Sequence, residues 1–227
     1  MKTFVIYHGS NKVIDKPYYR GGKKENDYGH GFYCTANIEL AKEWACSNKD
    51  IDGYVNKYSF DTSDLKVLDL TSKKYSILNW IAILLKHRTF DVSNEFAKQA
   101  KEYLLNNFYI DVEQYDFIIG YRADDSYFSF AKDFVNNSIS IQQLSKAMVL
   151  GDLGKQVVII SQKAYDKLIF DGYEVVNEFS YYIRKQLRDY KARIDYLDGN
   201  IRKNTCIDDL FIIDIIRRGL KHGDVVL

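Results

Sequence analysis

The stretch Tyr28-Gly29-His30-Gly31-Phe32-Tyr33-Cys34-Thr35, YGHGFYCT, decides how this chain is read. Two glycines, one residue apart, stand directly before Phe-Tyr-Cys-Thr, a run with strand character. Glycine weakens a strand but lets backbone turn tightly or approach another group closely. The stretch is therefore either a hairpin corner or the wall of a groove where backbone meets a flat ligand. His30 fills the variable place between the glycines.

Upstream, residues 3–7, TFVIY, read as a buried strand that ends in His8-Gly9-Ser10. Residues 11–30 are polar and glycine-dotted, and read as a long loop. Downstream, Asn37 is placed to cap a helix over IELAKEWACS, with Leu40, Ala41 and Trp44 inward. Alternation predicts a strand over 53–60, and 66–70 reads as another. Helices are expected over 76–87, from Ser93 to about 107, over 126–136 and over 140–150. Strands are expected at 115–121 and after Gly154, followed by a helix from Ser161 to Phe170 and a strand at GYEVV. Residues 180–197 read as a charged, Tyr-rich helix and 207–221 as an apolar one. Strands in the first and last thirds of 1–176, with helices between, give an α+β layout rather than βαβ alternation. The expected division is a domain over 1–176 and a helical extension over 177–227, packed on the domain or at an interface.

With 227 residues the chain holds one large domain or two small ones. Its net charge of +1 gives no bulk electrostatic case for a polyanionic partner, although a local basic groove fits within a neutral total. Nineteen Tyr and 13 Phe supply many flat surfaces, some with a polar tip. Cys34, Cys46 and Cys206 are scattered, lack metal spacing and form no disulfide framework, which fits a reducing cytoplasm and no metal. The start, MKTFVIYHGS, lacks the apolar core of a secretory signal. No run reaches the roughly 18 apolar residues of a membrane helix, so no membrane partner is expected.

Taken singly, HGS and GxG are weak signals, and the dinucleotide fingerprint's third glycine is absent. Their combination is more specific. A strand ending His-Gly-Ser, a loop of about twenty residues, Tyr-Gly-x-Gly-Phe-Tyr-x-Thr and then a helix resembles the ADP-ribosyltransferases of the diphtheria-toxin and poly(ADP-ribose) polymerase type. Those proteins carry His-Gly-Ser/Thr on a first strand and Phe-Gly-x-Gly-hydrophobic-Tyr on a later one. With YDFIIGYRADDSYFSFA, the pattern looks like a bacterial, toxin-like branch of that superfamily. The resemblance spans roughly residues 4–176. It implies a split antiparallel β-sheet core with flanking helices, and a C-terminal helical extension that it does not explain.

The resemblance also implies roles. His8 would bond the adenosine ribose of NAD, the backbone of Gly9 would hold the nicotinamide amide, and Ser10 would sit beside it. Tyr33 would stack on the nicotinamide ring and Tyr28 would close its other face, with Gly31 letting the backbone come close. A backbone donor–acceptor pair suits a primary amide, and aromatic walls suit a planar leaving group. Many of these enzymes hold a catalytic Glu on a later strand. Here that strand gives Lys155 and Gln156, neither of which acts as a general base near neutrality. Gln156 retains the capacity to bond a ribose hydroxyl. The change speaks against polymer formation and leaves transfer of a single unit.

Arg122-Ala123-Asp124-Asp125 leaves the strand at 115–121, where site residues gather. Arg122 would face the NAD pyrophosphate or the acceptor, and Asp124 or Asp125 would orient the attacking group; Asp125 equally fits a helix cap. Lys23 and Lys24 are further candidates for the pyrophosphate. The basic cluster Arg184, Lys185, Arg188, Lys191 and Arg193 alternates with Asp189 and Asp195, which reads as a solvated face.

The expectation is thus a cytoplasmic mono-ADP-ribosyltransferase that consumes NAD as substrate. Its acceptor would be a protein or nucleic acid, and as a toxin or defence effector it would have an inhibitor (antitoxin) protein. The alternatives are a non-catalytic NAD or ADP-ribose binding module, an RNA 2′-phosphotransferase needing several Arg and Lys around its groove, and a purely structural protein.

Overall fold

The computed structural model describes residues 3–90, 94–123, 125–148, 150, 154–198 and 205–225, with backbone only at 125–127 and 198. In chain order the elements are β1 (Thr3–Ser10), β2 (Phe32–Cys34), α1 (Ile38–Ala45), β3 (Gly53–Asp61), β4 (Val67–Asp69), α2 (Ile77–His87), α3 (Glu95–Phe108), β5 (Phe117–Tyr121), α4 (Asp125–Val135), α5 (Ile141–Ala147), β6 (Lys155–Ile159), α6 (Gln162–Tyr165), β7 (Ile169–Val176), α7 (Glu178–Asp198) and α8 (Ile212–Arg217). The α+β class is as expected.

The strands form two sheets, ordered β1-β3-β7 and β2-β6-β5-β4. Pairing is antiparallel except between β4 and β5, which run parallel. Among the described residues a single bridge joins the sheets: Tyr7 N–H donates to Thr35 O at 2.8 Å, and Thr35 N–H returns to Tyr7 O at 2.9 Å. Beyond Tyr7 the sheets part, so His8 and the residues after it stand at the mouth of a gap.

Three apolar clusters pack around the sheets, the smallest of them Ala41, Ala45 and Cys46 against Val55 and Val176. Ile6, Phe32, Tyr58, Phe60, Val157 and Ile159 pack between the sheets. On the far side of the second sheet, α2 is buried from Ile77 to Leu85, apolar but for Asn79, whose Nδ2 donates to Phe108 O at 2.8 Å. Leu68, Ile118 and Val158 cover it from the sheet, and Ala97, Ala100, Leu104 and Phe108 from α3. The period of two along β6 sends Val157 and Ile159 to one layer and Val158 to the other. Gln156 shares the face of Val158.

Caps behave as their chemistry dictates. Asn37 accepts from Glu39 and Leu40 N–H, and Ser140 and Ser161 cap α5 and α6. Ser93 lies outside the described residues, and Asn94 caps α3 by accepting from Ala97 N–H at 2.7 Å. Two expectations are corrected. The helix expected to reach Phe170 stops at Tyr165, because Phe170 pairs with Tyr58 across β3 and β7. The helix expected over 207–221 shrinks to Ile212–Arg217, because Asp209 accepts from Cys206 N–H at 2.8 Å and turns the chain first.

The C-terminal helices pack on the domain. Ile212 and Ile215 are fully buried in the α2 layer, and the Tyr103 hydroxyl donates to Leu220 O at 2.9 Å. The α7 helix docks through Arg188, 2.6 Å from Glu43 of α1, and through Tyr196, whose hydroxyl donates to Asp133 at 2.6 Å. Part of the basic face of α7 is therefore an internal contact. Cys34 and Cys46 are buried free thiols and Cys206 is exposed. Among the described residues no helix is long and apolar enough to cross a membrane.

Candidate active site

Where the sheets part, a cleft of about 660 Å³ opens, walled by β1, β2, β6 and the loop between β1 and β2. His8, Gly9, Gly31, Tyr33, Arg122 and Gln156 all line it. They come from four separate parts of the sequence, and the bridge at Tyr7 is what brings the first two parts together.

The His8 ring is fixed by Tyr33. Its Nδ1 lies 2.7 Å from Tyr33 O, and a carbonyl can only accept, so Nδ1 carries the proton. Burial pushes the imidazole below its usual 6.5, against the pull of that bond. The ring is therefore neutral at pH 7, and Nε2 is left as an acceptor. The Phe32 ring supports it at 4.4 Å between centroids.

Tyr33 is anchored at its tip. Its hydroxyl donates to Gly29 O at 2.8 Å and accepts from Tyr28 N–H at 3.0 Å. That closure needs Gly29 at φ +76°, a left-handed conformation that other residues seldom adopt. The hydroxyl is thereby consumed, and Tyr33 both packs against the α2 layer and lines the cleft. Burial holds the phenol far above its usual 10.0, so it stays protonated.

Other expected residues stand elsewhere. Tyr28 is 1% exposed, and its hydroxyl donates to Tyr121 O at 2.6 Å beneath the cleft. It supports the floor and does not form the second aromatic face. Ser10 accepts from Asn56 Nδ2 at 3.3 Å and does not line the cleft. Lys155 points away and donates to Thr71 Oγ1 at 2.8 Å. Lys23 and Lys24 are exposed and off the cleft, whereas Lys12 and Lys16 line it. Asp124 and the Asp125 side chain lie outside the described residues.

Several residues were not foreseen. Trp44, expected in the core, is a half-buried cleft wall with the Arg122 guanidinium 4.5 Å from its ring centroid. Arg88, just past α2, lines the cleft beside Asp27. Asp27 itself is 5% exposed. Its Oδ2 accepts from Ala123 N–H at 2.9 Å and from Gln156 Nε2 at 3.0 Å, and Arg88 Nη1 stands 3.4 Å from Oδ1. Burial raises the carboxyl above its usual 3.8, against those hydrogen bonds and the two arginines. The only sequence signal was position: Asp27 directly precedes the Tyr28-Gly29 stretch.

Asn56 of β3 holds the cleft loop in place. It is fully buried, its Oδ1 accepts from Ile14 N–H at 2.8 Å, and its Nδ2 donates to Lys12 O at 3.2 Å. Tyr58, two residues on, donates its hydroxyl to Ile14 O. Asn56→Ala leaves Ile14 N–H without its partner and removes one of the two donors to Lys12 O, and is expected to cost about 2–3 kcal/mol of stability. Urea unfolding measures it, and a wild-type midpoint would show that Asn56 does not pin the loop.

Among the described residues no group of three or more His, Cys, Asp or Glu is placed to hold a metal ion. No curated protein and no solved structure matches the chain. A family model described as "Protein of unknown function (DUF3990)" matches residues 4–170, stopping just inside β7. The matched segment carries every cleft residue named above, and by that match the chain belongs to the DUF3990 family.

Proposed function

We propose that this chain is an NAD-dependent mono-ADP-ribosyltransferase with an ADP-ribosyltransferase-like split-sheet core, acting on a protein or nucleic acid. One observation carries the reading. His8 and Tyr33, 25 positions apart, meet through a 2.7 Å hydrogen bond at a cleft that also holds Gln156. A neutral His8 with a bare Nε2 suits acceptance of a hydroxyl from the adenosine ribose. The Tyr33 ring suits a planar nicotinamide, and Arg88, Arg122, Lys12 and Lys16 suit the pyrophosphate.

In the reaction the bond between ribose C1′ and nicotinamide N1 breaks, and its electron pair goes to N1, so nicotinamide leaves neutral. A nucleophile of the acceptor bonds to C1′ and releases its proton to solvent. Positive charge develops on the ribose as the bond stretches, so a site with negative or acceptor groups there lowers the barrier. Gln156 in place of a carboxylate fits transfer of one unit. A toxin or defence effector inside the cell, held by an inhibitor protein, is the setting we propose.

The four basic residues of the cleft favour one second reading, an RNA 2′-phosphotransferase, which also consumes NAD. Incubation with adenine-labelled NAD separates the two. We expect label on protein or nucleic acid in a cell lysate together with free nicotinamide, and loss of both in His8→Ala. Dependence of nicotinamide release on a 2′-phosphorylated RNA would select the second reading. No release under either condition would overturn both.

A further inference from the structure

We propose that Asp27 is the working carboxylate of this cleft, a positioning residue that acts on the ribose through Gln156. The proposal rests on the NAD reading above. Its first ground is the orientation of an amide. Because Gln156 Nε2 donates to Asp27 Oδ2 at 3.0 Å, Oε1 is the acceptor left for a bound group. Gln156 is 4% exposed and lines the cleft, so the side chain has little freedom to choose otherwise. With a neutral partner at position 27 the amide could turn over and present a donor instead.

The second ground is charge. Each contact on the Asp27 oxygens is with a donor: Ala123 N–H, the Gln156 amide and the Arg88 guanidinium. This is the hydrogen-bond set of an ionised carboxylate. Arg88 and Arg122 are the charged groups that face it, and the Tyr28 and Tyr33 phenols lie alongside. An asparagine oxygen would accept from Ala123 and Gln156 equally well, so the backbone contacts do not call for the charge.

The third ground is energetic. Burial raises the folded pKa of Asp27 above 3.8, so the folded state binds the proton more tightly than the unfolded one. Stability therefore falls as pH rises through the window above 3.8, and the ionised side chain costs stability at neutral pH. A charge kept at a cost, beside a cleft, is a mark of function. Here it gives Gln156 Oε1 a fixed direction toward a ribose hydroxyl.

Two full-length variants test this: Asp27→Asn, and the exchange Asp27→Asn with Gln156→Glu, which rebuilds the amide–carboxylate pair in reverse. Both are compared with wild type by steady-state nicotinamide release from NAD over a pH series and by thermal melting. We expect Asp27→Asn to lower kcat about 100-fold with KM little changed. Its melting temperature at pH 7 should stay within about 4 °C of wild type or rise. The exchange should recover at least about tenfold of the lost kcat. Wild type should lose activity toward acid as Asp27 takes a proton, and that limb should be absent from Asp27→Asn; any limb that survives belongs to His8. An Asp27→Asn kcat near wild type, or an exchange no better than the single variant, overturns the proposal and leaves the NAD reading standing. A wild type that releases no nicotinamide overturns both.

Discussion

If the proposed NAD reading holds, Tyr33→Ala lowers nicotinamide release by at least about 100-fold, because that reading stacks the leaving group on this ring. The same change frees Gly29 O and Tyr28 N–H, which the hydroxyl now holds. Tyr33→Phe separates the two effects. It keeps the ring and deletes only the tip, so stability should fall by about 1–2 kcal/mol while most of the turnover survives. A Phe variant as poor as the Ala variant would move the role of Tyr33 from its ring to its hydroxyl. An Ala variant with wild-type turnover would remove Tyr33 from the site altogether. Nicotinamide release and chemical denaturation, run in parallel on both proteins, decide the matter.

Among the cleft glycines, Gly9 is where an added Cβ meets the closest overlap, so Gly9→Ala should be strongly destabilising. A Cβ at that position would stand 2.0 Å from Ala41 O and 2.6 Å from Ala45 N. Both are backbone atoms of α1, so no rotamer change relieves the overlap and the helix must move. Ala41, Ala45 and Cys46 are buried against Val55 and Val176, which resist that movement. The cost is expected to reach about 3 kcal/mol or more, or a fall of about 6–12 °C in melting temperature. Thermal or urea unfolding measures it directly. Position 9 is thus constrained by helix packing as well as by any ligand, so lost activity in Gly9→Ala would not by itself place the nicotinamide. A wild-type melting temperature would mean that α1 sits farther from β1 than 2.0 Å implies.

What the sequence made legible was local. The Asn37 cap and the alternation in 53–60 depend on neighbours within a few positions, and each stands as read. The first strand was legible in place but not in burial or length: it runs on through His8-Gly9-Ser10, and of its residues only Ile6 is buried. The meeting of His8 and Tyr33 was legible through a family pattern, not through periodicity. Asp27 was missed because its partners Ala123 and Gln156 lie 96 and 129 positions away. No window along the chain contains that pair. Trp44 was misplaced for a related reason. Helical spacing gives the face of α1 on which it sits, but not that this face ends at a cleft with Arg122 across it. At the other end, apolar spacing over 207–221 fitted a helix, yet the turn-forming carboxylate of Asp209 closed off its first residues.

The seating of α8 has a consequence for how the protein is made. Ile212, Ile215 and Val225 fill the layer over α2 and α3, and His222 N–H donates to Asn107 O at 3.0 Å. During synthesis everything before residue 212 is made while the patch of that layer beneath α8 is still uncovered. A nascent chain in that condition is a client for chaperones and a target for proteases until residues 212–225 have been made. Every cleft residue precedes α8 in the chain, so the layer behind them is completed only after they have been made.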